Sequence, residues 1–223
     1  MTDLRLTSRL AAAVADQTSG ATEIVRQVFD GLLALADDPG LIRDTAEVLI
    51  AELPWCAAMW HVAAAAHAGR PRLALRALRR RLDIDADRSI ATAVRLLTER
   101  GCAVQTAPGS SLVTAVLARL PQPSAPPTGT VGLVGADGLG PADLLNITGT
   151  RQLAENVPTV VVATSAKLVP QDAFERVGAP GFERIPLDLF ESVVLDGEVL
   201  VPAEAGRRAA SLGHVPGAPL PRH

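Results

Sequence analysis

An aspartate that follows an apolar run is the residue with the clearest chemistry to offer. Thr130 to Gly135 is apolar and β-branched enough to predict a strand, and Asp137 follows it in the turn Ala136-Asp137-Gly138. A carboxylate at that point, buried enough to raise its pKa towards neutrality, could move a proton as a general acid or base. The same residue could instead accept hydrogen bonds from amides of its own turn. Downstream, Asn146, Gly149 and Thr150 fall at the start of a helix expected to reach Glu155. Free backbone amides at a helix start suit a phosphate, although capping by Asn146 and close packing at Gly149 would use the same residues. Upstream, Gly109-Ser110-Ser111 opens another expected helix. It offers either a second anion cradle or a plain N-cap.

Other reactive residue types lead nowhere specific. Cys56 and Cys102 have no metal-ligand spacing and stand in apolar surroundings, which predicts buried free thiols in a reducing compartment. His61 and His67 lie six apart, a poor spacing for one helical face, so no metal site is expected. The arginines from Arg70 to Arg81 read as a solvated helix face, with an acidic partner as the sharper alternative. A formal charge of -3 over 223 residues argues against broad nucleic-acid binding, which needs a basic surface. The apolar run from Cys56 to Ala68 is far short of the ~20 residues of a bilayer span. Met1 to Arg9 carry Asp3 and no long apolar stretch, so no secretory leader is expected and the location reads as cytoplasmic.

The elements that would position these residues fall into two halves. Up to Arg100 the apolar spacing is helical. One helix lies over Leu6 to Asp16. A second is capped at Ser19, a third runs from Leu41 to Leu53, and a fourth starts at Pro54. A fifth starts at Pro71, and a separate last one covers Arg88 to Arg100. Beyond that point strands alternate with helices. Strands are expected at Cys102 to Thr106, Thr130 to Gly135, Pro158 to Ala163, Ser192 to Leu195 and Glu198 to Val201, with a proline-rich loop over Pro121 to Gly129. The pattern predicts an α/β protein: a helical N-terminal domain over 1–100, a small Rossmann-like domain with a parallel sheet over 101–205, and a disordered tail over 206–223. Ligands of such sheets bind beyond the carboxyl ends of the strands, which lines up Thr106 to Ser111, Asp137 and the segment after Ala163.

Gly135-Ala136-Asp137, followed by Asn146-Ile147-Thr148-Gly149-Thr150-Arg151-Gln152-Leu153-Ala154, resembles a signature of the family that joins translation initiation factor 2B regulatory subunits with the aldose-1-phosphate isomerases. Val157 to Ala163, Lys167 to Pro170, Phe182 to Pro186 and Val193 to Gly197 resemble the family's next elements in order. Upstream, Ser19-Gly20-Ala21, Leu53 to Ala64 and Gly101 to Ser111 resemble earlier ones.

The resemblance implies a CoA-transferase-like sheet domain, a homodimer formed through it, and a pocket for a phosphorylated sugar or a nucleotide with no cofactor. It adds Gly20, Ala21 and Lys167 to the candidate ligand-binding residues Gly109, Ser110, Ser111, Asn146, Gly149 and Thr150, with Asp137 as the catalytic candidate. Two departures count against catalysis. The isomerases carry a cysteine in the turn that reads Thr106-Ala107-Pro108-Gly109 here, and a lysine where Ile147 stands. Some forty residues between that turn and Asp137 are also missing relative to the family. The sequence therefore implies a catalytically eroded sugar-phosphate or nucleotide binding or regulatory protein; the alternative is an aldose-ketose isomerase acting on a 1-phosphorylated sugar.

Overall fold

The computed structural model describes residues 6–16, 18–36, 38–122 and 126–213. Five helices come first: α1 (Ser8–Ala15), α2 (Ala21–Ala34), α3 (Pro39–Glu52), α4 (Ala58–Ala66) and α5 (Pro71–Arg100). Their apolar stripes meet in one core containing Leu10, Val28, Phe29, Ile42, Leu49 and Leu75. Asp38 accepts from the Gly40 and Leu41 amides at the start of α3, where proline occupies a first-turn position.

The remaining elements are β1 (Ala103–Thr106), α6 (Ser111–Arg119), β2 (Thr130–Val134), β3 (Gly138–Leu139), β4 (Asp143–Ile147), α7 (Thr150–Asn156), β5 (Thr159–Ala163), α8 (Gln171–Phe174), β6 (Phe182–Pro186), β7 (Ser192–Leu195), β8 (Glu198–Leu200) and α9 (Pro202–Ala210). The main sheet has the order β1-β2-β5-β7-β8; its first four strands are parallel and β8 returns antiparallel to β7. A smaller antiparallel sheet runs β3-β4-β6. The continuous valine run of β5 is buried on both faces, as a central parallel strand requires. Val160 and Val162 pack with Ile90, Leu97 and Val116, whereas Val161 and Ala163 pack with Leu144, Ile185 and Ala205.

Several expectations are corrected. Helix α5 is one continuous element of 30 residues, not two. Its first half, through Leu75 and Leu82, belongs to the helical core. Its second half, through Ala86, Ile90, Ala93 and Leu97, covers the sheet, so burial on both sides holds it straight through the acidic stretch around Asp83 and Asp85. Gly101 ends it in the left-handed conformation, φ 59°. Gly20, not Ser19, is the N-cap of α2. Pro54 lies in a turn ahead of α4. Asn146 sits on β4, and the helix after it begins only at Thr150. Cys102 is only half-buried. Helix α9 continues to Ala210, past position 205, and the tail beyond 213 lies outside the described residues.

Candidate ligand cleft at the carboxyl ends of the strands

Three chain segments meet beyond the carboxyl ends of β1 and β2. Ser110 caps α6, its Oγ accepting from the Val113 amide at 3.3 Å. The start of α2 is pressed against the same turn, and a methyl group on Gly20 would collide with Ser111 N. Gly135, just past β2, leaves equally little room, since a Cβ there would collide with Ser110 Oγ. Glycine at both positions is a condition of this close approach.

The cleft between these segments is lined by Ala21, Thr22, Gly109, Ser110, Ser111, Leu112, Ala136, Asp137 and Asn146. It therefore gathers six of the ten residues singled out from sequence, and Gly20 lies directly behind its wall. Thr22 and Leu112 join them, as the neighbours of predicted positions on the first turns of their helices. The starts of two helices, α2 and α6, form part of its lining through Ala21 and Thr22 and through Ser111 and Leu112, and a helix start carries the positive end of its dipole. The free volume is about 10 Å³, room for about one water molecule.

Asp137 is held by its backbone. Its N–H donates to Leu145 O at 2.9 Å and its carbonyl accepts from Ala57 N at 3.0 Å, fixing it between the β3–β4 hairpin and the start of α4. No hydrogen bond to its carboxylate is formed among the described residues. Burial pushes the Asp137 carboxyl up to about 6, and the Lys167 ammonium acts in the opposite direction. Lys167, the only lysine of the chain, ends a short 3-10 turn after β5 and is 1% exposed, with no hydrogen-bond partner for Nζ among the described residues.

Cys56 completes this group. Burial raises its thiol pKa, Lys167 lowers it and Asp137 raises it. No spacing rule links Cys56 to Asp137. The only hint in the chain is the thiol itself, and the contact between Ala57 and Asp137 is what brings it near.

Gly149, Thr150 and Lys167 do not line the cleft. Asn146 is 5% exposed and donates from Nδ2 to Thr150 Oγ1 at 3.1 Å, while Thr150 Oγ1 donates to Ile147 O at 2.8 Å. Gly149 caps α7 with φ 100°, and the Arg151 amide in that first turn donates to the Glu183 carboxylate at 2.8 Å. That helix start thus faces a carboxylate of the chain itself. Among the described residues no group of three His, Cys, Asp or Glu side chains could hold a metal ion. No helix there is long and apolar enough to cross a membrane.

No protein-family model matches the chain, and no curated protein sequence does. The fold is nonetheless that of the translation initiation factor 2B subunits. The eIF-2B structure from Pyrococcus horikoshii OT3 superposes with a TM-score of 0.68 at 14% identity, covering 89% of this chain and 99% of that one. The tetrameric eIF2B-beta2-delta2 complex from C. thermophilum gives 0.62 at 14% identity, covering 91% and 92%. The eIF2B beta structure from Chaetomium thermophilum gives 0.55 at 15% identity, covering 92% and 91%.

Proposed function

We propose that this eIF2B-fold protein is a cytoplasmic, homodimeric binding or regulatory protein. Its cleft around Asp137 is a catalytically eroded site for the phosphate of a sugar phosphate or nucleotide. The carrying observation is that Ala21, Gly109, Ser110, Ser111, Asn146 and Asp137, drawn from four separate segments, line one cleft at the end of the sheet where such folds take ligands. Two helix starts supply amides and positive dipole ends for an anion. The reading of erosion rests on the turn at Thr106 to Gly109 without cysteine, on Ile147, and on a volume far below the ~300–1,000 Å³ of ordinary ligand clefts. A phosphorylated ligand must therefore part the starts of α2 and α6 before it enters. The test is a thermal-shift panel of sugar phosphates and nucleotides on the wild type and on Asp137→Ala.

One observation favours the isomerase alternative: the buried Cys56 directly precedes Ala57, whose amide donates to Asp137 O at 3.0 Å. In that reading Asp137 moves a proton or hydride between neighbouring carbons of a 1-phosphorylated sugar, and Cys56, which is buried outside the cleft lining, would have to become accessible to supply the thiol that the turn lacks. Turnover assays on such sugars separate the two readings.

A further inference from the structure

A second concavity shares no residue with the cleft around Asp137. It runs between the start of α5 and residues Leu35, Pro39 and Ile42, has a volume of about 660 Å³, and is further lined by Gly69, Arg70, Pro71, Arg72, Leu73 and Arg76. Arg72 is part of the wall, donating to Leu33 O and Leu35 O at 2.8 Å each. Arg70 and Arg76 are exposed on either side of Leu73, three residues before and three after it, so all three share one side of the first turns of α5. Leu73 is 54% exposed, an aliphatic side chain left in water between two exposed arginine positions. The neighbouring Asp38 carboxylate is turned onto the Gly40 and Leu41 amides, not onto these arginines.

An apolar spot flanked by cations is complementary to a segment with carboxylates flanking an aliphatic side chain. A nucleic acid fits less well. No aromatic residue lines the groove to stack a base, and the chain carries a net charge of -3. We infer that this groove docks a short acidic peptide segment of a partner protein, with an aliphatic side chain of that segment on Leu73 and its carboxylates on Arg70 and Arg76.

The test uses the full chain and a fluorescein-labelled peptide of about ten residues, glutamates around a central leucine pair, read by fluorescence anisotropy at low salt. The wild type should bind the peptide and release it as salt rises, as charge pairing requires. Arg70→Glu with Arg76→Glu should weaken binding at least about tenfold, and Leu73→Ser about threefold or more. Arg95→Glu reverses an exposed charge on the far half of the same helix and should change affinity less than about twofold. Circular dichroism confirms that each variant is folded. Three results would overturn the inference: no peptide binding, equal weakening by Arg95→Glu, or a single-stranded oligonucleotide that binds as tightly and responds to the same substitutions.

Discussion

No Cβ fits between Gly20 and Ser111. A methyl group on Gly20 would collide with the Ser111 backbone nitrogen, 2.9 Å from its Oγ and 3.0 Å from Gly109 O. This contact fixes the distance between the starts of α2 and α6, and with it the width of the cleft that contains Asp137.

Gly20→Ala should therefore destabilise the protein by about 1–3 kcal/mol, the usual cost of forcing atoms into a packed site. Gly135→Ala should cost less, because the obstacle there is the Ser110 side chain, which can turn away at the cost of its cap, worth about 1 kcal/mol. Urea unfolding of the two variants checks the order. A Gly20→Ala protein as stable as wild type would show that the contact is not tight.

Asp137 makes stability depend on pH in a defined direction. Its folded pKa of about 6 lies above the ordinary carboxyl value, so between about pH 4 and 6 the native state binds more protons than the unfolded chain. The contribution of this group falls as pH rises through that window and stays unfavourable above it. Asp137→Asn should therefore raise stability by about 1–3 kcal/mol at pH 8 and change it little at pH 4. Denaturant unfolding at the two pH values decides. A variant less stable at pH 8 would show that the attraction of the Lys167 charge outweighs the burial.

The five strands of the main sheet were the legible part of this fold, and the reason is composition; the smaller sheet β3-β4-β6 was not foreseen. The β5 run from Thr159 to Ala163 has one reading, and the glycine-containing turns around Asp137 and Ser110 mark where a sheet of this kind presents residues to a ligand. Asn146 misled because Asp143 to Ile147 is short and leucine-containing, and its strand state depends on pairing with Phe182–Pro186, remote in sequence. The unbroken α5 was hidden for a similar reason, since its polar middle is held only by packing on both halves of the molecule. Cys56 could not be linked to Asp137 at all, because their proximity is purely tertiary.

Catalysis should be absent at the level of a working enzyme. With methylthioribose 1-phosphate or ribose 1,5-bisphosphate as substrate, we expect no appreciable isomerisation in a coupled or NMR assay. Turnover near ~1 per second, within the range of ordinary enzymes, would support the isomerase reading. Loss of that turnover in Cys56→Ser would then assign the thiol.

The protein should be a dimer in solution. Val199 and Val201 are 47% and 63% exposed at and just beyond the edge strand β8, an apolar edge that a lone copy would leave in water. Light scattering at micromolar concentration should give twice the chain mass of 23.2 kDa. A monomer mass would contradict this.

The most direct test of the cleft is ligand-dependent stability. A ligand that binds only the native state raises its stability by about 2.7 kcal/mol at a hundredfold excess over Kd, which for a chain of this size is a shift of several degrees in Tm. Such a shift is expected with at least one member of a panel of sugar phosphates and nucleotides at millimolar concentration. The shift should be lost in Asp137→Ala, itself shown to be folded by circular dichroism. No shift across the panel, or a shift that survives Asp137→Ala, would contradict the assignment of the cleft.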